Sequence, residues 1–310
     1  MQRINNGMDV AMIKTAVIGA SGYIGNNLLQ KYRETFPDCI GTGFSQVKHG
    51  LIPFDLRNPN CDSLNLEETR HQTVIIASAK PNIGWCESYP KESYELNVSG
   101  TLKLITQLAQ RHIHVIFYSS DYVFDGKEGN YSDQAKPTPT TEYGRQKAEV
   151  EQEISNITDN YTIIRLSKIY GTAWKDNTLI DNLAADLLQG KKLKVATDQF
   201  FSPTHIDDVV AMTMYVQEQK IKGLVNLCHA TIYSRQQIAS KLADALKISS
   251  SLLESVSLHS IPGMENRPLN TSLICSPSLQ KFQSALWTID EAIEYVASNW
   301  NQKSLNSKAG

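Results

Sequence analysis

Short apolar runs alternate with longer amphipathic stretches over the first half of the chain. We predict strands at Thr15 to Ile18, Cys39 to Phe44, Leu51 to Phe54, Thr73 to Ala77, Val115 to Tyr118 and Thr162 to Leu166. Short runs rich in apolar and β-branched residues are typical of strands that are buried on both faces. Their alternation with helices predicts an α/β fold built on a doubly wound parallel sheet. The alternation weakens beyond about Gly171, which predicts a second, smaller carboxyl-terminal domain.

The first predicted strand leads through a glycine-rich turn into a helical pattern. Residues 19–25 read Gly-Ala-Ser-Gly-Tyr-Ile-Gly, so the glycines follow the spacing GxxGxxG. Glycines let the backbone turn tightly and approach a pyrophosphate, and the N-terminus of the next helix stabilises its negative charge. A plain strand-to-helix turn can have the same spacing. The strand before this turn and the amphipathic helix after it favour a dinucleotide site.

The composition excludes several classes of function. The chain has 310 residues, of which 41% are hydrophobic and 20% charged, and this is enough to bury a large core. A formal net charge of -2 offers no basic surface for nucleic acid or for a membrane, so we expect neither partner. The five cysteines are not closely paired, so we predict neither disulfides nor a metal site and expect a cytoplasmic protein. No apolar run approaches the ~20 residues of a membrane span.

Two further stretches carry groups suited to acid-base chemistry. Tyr143 and Lys147 are four residues apart in a predicted helix and therefore share one face. An ammonium group beside a phenol favours the phenolate, which predicts that Lys147 lowers the pKa of Tyr143 from about 10. The pattern is common by chance. Upstream, however, a predicted strand ends in Ser119-Ser120, and a serine beyond the carboxyl end of a central strand faces the ligand crevice of such sheets.

The glycine turn, the strand-end hydroxyl and the Tyr-Lys pair together resemble the extended short-chain dehydrogenase/reductases. Residues 119–126 read Ser-Ser-Asp-Tyr-Val-Phe-Asp-Gly and are similar to the Ser-Thr-Asp-Tyr-Val-Phe-Asp-Gly segment of the branch that contains dTDP-4-dehydrorhamnose reductase. The segments 81–101, 198–204 and 267–273 also resemble this branch, so the resemblance spans roughly residues 13 to 300. Two positions depart from it, because Gly84 stands where relatives commonly have aspartate, and Phe201 replaces a glycine.

The resemblance implies three catalytic residues and a set of cofactor contacts. Ser120 would hydrogen-bond the substrate carbonyl, Tyr143 would protonate it, and Lys147 would hold the nicotinamide ribose while lowering the tyrosine pKa. The cofactor contacts implied are Gly19, Ser21, Gly22, Tyr23, Ile24, Gly25, Asp55, Leu56, Ala77, Ser78, Ala79, Asn97, Tyr143, Lys147 and Ser167.

The end of the second predicted strand bears on the choice of cofactor. An NAD site usually places a carboxylate there to hold the ribose 2′-hydroxyl, but residues 43–48 contain none. Ser45 and Lys48 could instead bind a 2′-phosphate. We therefore expect NADP(H) to be preferred, with NAD(H) as the alternative.

Four residues are candidates for substrate binding in the resemblance: Ser120, Asp121, Gln199 and Arg267. The guanidinium of Arg267 suits a diphosphate, although a structural salt bridge is an equal alternative. Asp121 fits turn and capping chemistry as well as a substrate contact. The segment 177–189 is expected to form a helix covering the substrate cleft.

The resemblance implies a dinucleotide-binding Rossmann domain over 13–170 with about 205–228, a substrate-binding subdomain over 171–204 and 229–300, and flexible ends at 1–12 and 301–310. The implied function is NADPH-dependent reduction of a 4-keto-6-deoxy nucleotide sugar, the expected partner of the site. Two alternatives stay open: a nucleotide-sugar epimerase or dehydratase of the same fold, and a non-catalytic NADP-binding regulatory subunit like the beta subunit of methionine adenosyltransferase. A homodimer is also an open expectation.

Overall fold

The computed structural model of the chain describes residues 14–44, 50–66 and 71–306, with the side chains of 301–306 left aside. The opening segment 1–12, the predicted cofactor residues Ser45 and Lys48, and residues 307–310 lie outside the described residues.

Strands and helices follow one another along the chain. The strands are β1 Thr15–Ile18, β2 Ile40–Gly43, β3 Ile52–Pro53, β4 Thr73–Ile76, β5 His114–Ser120, β6 Tyr161–Leu166, β7 Ile169–Tyr170, β8 Leu193–Ala196, β9 Phe200–Phe201, β10 Thr204–His205, β11 Gly223–Leu227, β12 Tyr233–Ser234 and β13 Leu253–Val256. The helices are α1 Tyr23–Arg33, α2 Ile83–Ser88, α3 Pro90–Tyr94, α4 Thr101–Ala109, α5 Glu142–Ile157, α6 Leu179–Leu188, α7 Ile206–Glu218, α8 Arg235–Ala245 and α9 Ile289–Asn306. A π-helical turn, Glu95–Gly100, joins α3 to α4.

The chain divides into two compact units. The first comprises the described residues up to Phe124, with Ala135–Leu166 and Val209–Leu227. Within the described residues its sheet has seven strands in the order β11-β6-β5-β4-β1-β2-β3, and every neighbouring pair is parallel. The sheet grows outward from β1 in both directions, and this reversal of order is the switch point where doubly wound sheets bind ligands. The predicted α/β class and parallel sheet are confirmed.

The core of the first unit lies between the sheet and the helices α4 and α5. Val74 and Ile76 of β4 and Val115 and Phe117 of β5 are fully buried on one face of the sheet. They pack against apolar residues of the two helices, Leu104, Ile105, Leu108, Val150 and Ile154. Because both faces of these strands are covered, their sequences are apolar without strict alternation.

The second unit comprises Asp125–Gln134, Ser167–Asp208 and the described residues from Cys228 onward. Its core combines α6, α8 and α9, with Trp300 fully buried and its ring edge-on to Trp174 at 4.7 Å. A capping box between Ser234 and Gln237 begins α8. The last helix continues to Asn306, six residues into the segment expected to be a flexible end. The assignment of cofactor and substrate to separate units stays a prediction. None of the described helices is long and apolar enough to cross a membrane.

Candidate active site

The glycine turn after β1 is set by close backbone contacts. Gly19 has φ +88°, and a β-carbon there would lie 2.7 Å from the backbone of Ser78, which follows β4. A β-carbon on Gly25 would lie 2.3 Å from the carbonyl oxygen of Gly19, so α1 reaches the turn only with glycine at this position. The amide of Gly19 donates to the Thr42 hydroxyl of β2 at 3.0 Å. The turn is thus fixed against both neighbouring strands.

Gly22 differs from these two glycines. A β-carbon there would meet only the Gly19 carbonyl oxygen, at an ordinary contact distance of 3.4 Å. Gly22 is exposed and caps α1 without a side chain, and the first turn of the helix contains no acidic residue. The packing of this chain therefore does not demand glycine here, whereas close approach of a pyrophosphate does. The turn fits a dinucleotide.

The other predicted cofactor residues near this turn lie at the carboxyl ends of β1 and β4. Ala77 donates its amide to the Ile18 carbonyl at 2.9 Å, which continues the pairing of the two strands into the loop. The half-buried residues around the turn are Ser21, Tyr23, Ile24, Ala77, Ser78 and Ala79.

Ser120 is the last residue of β5, and its hydroxyl has several hydrogen bonds. The hydroxyl donates to Oδ1 of Asp121 at 3.0 Å and accepts from the amide of Tyr122 at 3.2 Å, which caps a short 3-10 turn. The same hydroxyl acts on the phenol of Tyr143 and lowers its pKa. Asp121 is buried, so its carboxylate acts mainly on this hydroxyl network rather than on solvent. The structure thus brings Ser120, Asp121 and Tyr143 together.

Tyr143 and Lys147 share the buried face of α5, as the spacing predicts. The Thr141 hydroxyl caps the helix by accepting from the Gly144 amide at 3.1 Å, which places Tyr143 in the first turn. Nζ of Lys147 donates to the Tyr118 carbonyl of β5 at 2.8 Å and lies 5.9 Å from the centre of the Tyr143 ring. Helix and strand together therefore gather Ser120, Tyr143 and Lys147 at the carboxyl end of β5.

The prediction that Lys147 lowers the pKa of Tyr143 is wrong for this structure. Burial raises the pKa of Tyr143 well above its ordinary value, and the Asp121 carboxylate raises it further, while the Ser120 hydrogen bond acts in the opposite direction. The sequence showed the cation but not the degree of burial. The phenol of Tyr143 is therefore protonated at neutral pH.

The pKa of Lys147 is shifted in the opposite direction, downward. Burial lowers the pKa of Lys147 to about 7, and the carboxylate of Glu151, one turn further along α5, partly restores it. Glu151 is in turn held by the Arg165 side chain of β6 at 2.9 Å (Nε to Oε1) and 2.6 Å (Nη2 to Oε2). Only part of the Lys147 population is charged at neutral pH, which limits its effect on the phenol.

Asn97 lies in the π-helical turn and is buried. Its Oδ1 accepts from the Lys80 amide at 2.9 Å, and its Nδ2 donates to Oε1 of Gln146 at 2.8 Å. Gln146 in turn donates through Nε2 to Ser93 at 2.7 Å and to Oε1 of Glu142 at 3.1 Å. Gln146 was not among the residues predicted from the sequence. Its position between Tyr143 and Lys147 was the available signal.

The loop after β3 holds the predicted adenine contacts Asp55 and Leu56. Both carboxylate oxygens of Asp55 accept from Arg57, with Nε to Oδ1 at 2.9 Å and Nη2 to Oδ2 at 2.7 Å, and this pair lowers the pKa of Asp55. The Arg57 guanidinium lies 4.8 Å from the ring centre of Phe44, which follows β2. Arg57 is a second residue that sequence reasoning missed, because the ion pair requires the β3 loop to fold back on itself.

The remaining predicted residues belong to the second unit. The Ser167 hydroxyl accepts from the Ser202 amide at 3.1 Å, and Gln199 accepts from Nε of Arg235 at 3.1 Å, so both have structural hydrogen bonds. Nε of Arg267 is buried without a hydrogen-bond partner among the described residues, which also contain no carboxylate paired with it. The expected salt-bridge alternative is therefore not formed within that part of the chain.

The two departures from the branch have different surroundings. Phe201 is 3% exposed, and its ring packs against apolar residues in the core of the second unit. Gly84 is an exposed residue in α2, and a β-carbon there would lie 3.6 Å from Oδ1 of Asn82. Larger side chains fit at this position.

The described part of the chain contains neither a group of metal ligands nor a disulfide. No cluster of three or more His, Cys, Asp or Glu residues there could hold a metal ion. None of the five cysteines, all within the described residues, forms a disulfide, and each is buried.

Comparisons with known proteins agree on one family. Residues 13–301 match the family described as RmlD substrate binding domain. The chain is 25% identical over 280 residues to methionine adenosyltransferase 2 subunit beta of Xenopus laevis, covering 88% of this chain and 84% of that protein. It is also 25% identical over 264 residues to the probable low-salt glycan biosynthesis reductase Agl14 of Haloferax volcanii, covering 83% and 88% respectively.

Solved structures share the fold over nearly the whole length. The dTDP-4-dehydrorhamnose reductase of Bacillus anthracis in complex with NADP has a TM-score of 0.77 at 20% identity, covering 91% of this chain and 98% of that one. MoeE5 in complex with UDP-glucose and NAD has a TM-score of 0.79 at 21% identity, covering 94% and 99% respectively. At these identities the likeness is one of fold.

Proposed function

The chain belongs to the RmlD substrate binding domain family, in the dTDP-4-dehydrorhamnose reductase-like branch of the extended short-chain dehydrogenase/reductases, and from that premise we propose that it reduces a 4-keto-6-deoxy nucleotide sugar with NADPH. The observation that carries the proposal is that the side chains of Ser120, Tyr143 and Lys147 lie together at the carboxyl end of β5. The Ser120 hydroxyl at the end of β5 lowers the pKa of the Tyr143 phenol, and Lys147 is anchored one helical turn away on the Tyr118 carbonyl. Each group has a task in carbonyl reduction.

NADPH supplies the hydride that reaches the carbonyl carbon. The residues that would hold it are the glycine turn at its pyrophosphate, Asp55 and Leu56 at its adenosine end, Ala77, Ser78 and Ala79 beneath it, and Lys147 at the nicotinamide ribose. Support for a nicotinamide dinucleotide comes from the glycine turn, whose Gly22 is open to close approach of the pyrophosphate. The B. anthracis reductase is solved with NADP and MoeE5 with NAD, so NAD(H) stays the alternative.

Tyr143 provides the proton that completes the reduction. The C=O bond becomes CH–OH as carbon receives the hydride and oxygen receives the phenolic proton. Because burial keeps Tyr143 protonated at neutral pH, the acid is in the form that reduction requires. The Ser120 hydroxyl hydrogen-bonds the carbonyl oxygen as negative charge develops there. After transfer, the phenolate is stabilised by Ser120 and by the charged form of Lys147.

Arg267 is proposed to bind the diphosphate of the nucleotide sugar. Its guanidinium has no acidic partner in the described residues and its Nε is buried without an acceptor, which costs free energy unless a ligand provides one. A planar guanidinium matches two phosphate oxygens at once. Asp121 and Gln199 are weaker substrate candidates, since each already has a structural hydrogen bond.

The test is turnover of a panel of 4-keto nucleotide sugars with NADPH, followed by the absorbance of the reduced nicotinamide and by identification of the product. We expect the Tyr143→Phe variant to lose about 10²- to 10⁴-fold in kcat with unchanged folding, because it removes only the acid. Tyr89→Phe is the matched control, because this tyrosine is 51% exposed in the same unit. Wild-type turnover in Tyr143→Phe would contradict the proposed mechanism.

A non-catalytic role is the second candidate, and one comparison favours it. Methionine adenosyltransferase 2 subunit beta covers 88% of this chain at 25% identity. A chain of this kind would bind NADP, show no turnover with any sugar nucleotide, and co-purify with a larger enzyme. The buried acid and lysine of α5 favour the reductase.

An epimerase or dehydratase of the same fold is the third candidate, favoured by the fold shared with MoeE5 bound to UDP-glucose and NAD. Such enzymes regenerate their cofactor within each turnover. Stoichiometric consumption of NADPH supports the reductase, whereas product formation without net consumption supports this alternative.

A further inference from the structure

The carboxyl end of β2 carries an aromatic ring and a cation where many dinucleotide sites have an acid. Phe44 follows β2 directly and is 58% exposed, although large apolar side chains are usually covered. The Arg57 guanidinium lies over this ring, 4.8 Å from its centre. The two residues follow neighbouring strands, since β2 and β3 pair with Gly43 opposite Pro53, Phe44 comes directly after β2 and Arg57 lies in the loop after β3. They form one exposed platform.

This platform lies beside the glycine turn. Thr42, two residues before Phe44, accepts the hydrogen bond from the Gly19 amide at 3.0 Å. A dinucleotide with its pyrophosphate on that turn has its adenosine ribose at the end of the second strand, where an acid selects the 2′-hydroxyl and an arginine accommodates a 2′-phosphate. The ribose 2′-position of such a dinucleotide would therefore lie next to Phe44 and Arg57.

The ion pair orients the guanidinium without using all of its donors. Asp55 occupies Nε and Nη2 of Arg57, and within the described residues Nη1 has no hydrogen-bond partner. The side chain of Arg57 is 51% exposed, so Nη1 is open to a ligand. An arginine that is already oriented loses less conformational entropy on binding a phosphate.

The same pair makes Asp55 a poor ligand for an unphosphorylated ribose. Both of its oxygens accept from Arg57, and Oδ1 also accepts from the Arg57 amide at 3.0 Å. The described end of β2 offers no other carboxylate, because Phe44 stands at that place. The local chemistry therefore matches a phosphate and not a 2′-hydroxyl.

We propose that Arg57, oriented by Asp55 and stacked on Phe44, binds the 2′-phosphate of the cofactor and is a main determinant of NADP over NAD. The proposal rests on the proposed function in one respect, namely that the chain binds a nicotinamide dinucleotide at the glycine turn.

Calorimetric titration of the full chain tests this without any turnover. The probes are NADP⁺ and NAD⁺, and 2′,5′-ADP and 5′-ADP, which differ only in the 2′-phosphate. We expect Arg57→Ala to weaken NADP⁺ and 2′,5′-ADP by about 10- to 100-fold while NAD⁺ and 5′-ADP change less than about threefold, as loss of a charge-assisted hydrogen bond requires. Arg57→Lys should fall between, because it keeps the charge without the fork.

Arg111→Ala is the matched control, because Arg111 also pairs with an aspartate, Asp62, on the surface of the same unit. It should leave all four affinities within about twofold, as it lies outside the platform. Equal weakening of NADP⁺ and NAD⁺ in Arg57→Ala, or no change in either, would overturn the inference while leaving the reductase proposal intact. Failure of the wild-type chain to bind either dinucleotide would instead remove the proposed function itself, and this inference with it.

Discussion

The side-chain amide of Asn97 donates a hydrogen bond of 2.8 Å to the side-chain oxygen of Gln146. This contact ties the π-helical turn to α5 between its two proposed catalytic residues, Tyr143 and Lys147. Both amides are almost fully buried, so each satisfies the other in a region without bulk water. Asn97 also fixes the backbone at Lys80, just beyond the carboxyl end of β4. The amide pair thus links two segments of the candidate active site.

We expect Gln146→Ala to lower the free energy of unfolding by about 2 to 4 kcal/mol, because it removes the buried hydrogen bonds that Gln146 makes with Asn97 and Ser93. Urea denaturation measures the change. Gln152→Ala, on the exposed face of the same helix, should cost less than about 0.5 kcal/mol. Equal effects of the two substitutions would show that the buried hydrogen-bond network contributes no more to the free energy of unfolding than an exposed glutamine does.

Two glycines of the turn after β1 should respond differently to alanine. Gly25→Ala places a β-carbon 2.3 Å from the Gly19 carbonyl, and we expect a loss of about 2 to 3 kcal/mol of stability. Gly22→Ala meets no atom closer than 3.4 Å, so its melting temperature should hardly change while its affinity for NADP⁺ falls about tenfold or more. Thermal melts and titrations of both variants separate packing from ligand approach. A strongly destabilised Gly22→Ala would contradict this interpretation.

Lys147→Met should change how stability depends on pH. The pKa of Lys147 is lowered to about 7 in the folded chain from its ordinary 10.5, so between these values the unfolded chain binds a proton that the folded chain lacks. The stability of the wild type therefore rises with pH in this window, by about 1 kcal/mol per pH unit, and below pH 7 the full cost of burying the ammonium remains. Methionine has no such cost.

The Met variant should accordingly have its largest stability advantage below pH 7 and lose it progressively toward pH 10. Denaturation curves at pH 6, 7, 8 and 9 measure the difference between the two proteins. A difference that stays constant over this range would show that Lys147 has an ordinary pKa in the folded chain.

Neutralising only one partner of the Glu151–Arg165 ion pair should strongly lower the free energy of unfolding. Both side chains are nearly inaccessible, at 5% and 2% exposure, and they share three hydrogen bonds. Glu151→Gln leaves the guanidinium charge uncompensated, which we expect to cost about 3 to 5 kcal/mol, whereas the double variant Glu151→Leu, Arg165→Met should recover much of it.

The surface substitution Lys31→Ala serves as the comparison for that pair, because Lys31 bonds Glu34 with both side chains about half exposed. It should cost no more than about 1 kcal/mol. A Glu151→Gln effect of that size would mean that water or another group compensates Arg165.

The order of strands and the gathering of groups at β5 could be predicted because they depend on local patterns. Apolar runs marked the buried strands, and a helical spacing of four placed Tyr143 and Lys147 on one face. The pKa of Tyr143 could not be predicted in this way, since it depends on how deeply three segments bury the phenol and on where Asp121 points. Gln146 and Arg57 were missed for a related reason. Gln146 contacts Asn97 and Ser93, and Arg57 lies over Phe44, so these contacts join residues that are distant in the sequence.

Gly100 is the last residue of the π-helical turn and packs directly against the loop after β3. A β-carbon there would lie 1.9 Å from the carbonyl oxygen of Leu56, so even alanine would force the loop away from the helix. That loop carries the Asp55–Arg57 pair, and the helix carries Asn97 less than one turn earlier. The absence of a side chain at Gly100 therefore sets the distance between the loop that carries Arg57 and the helical turn that carries Asn97.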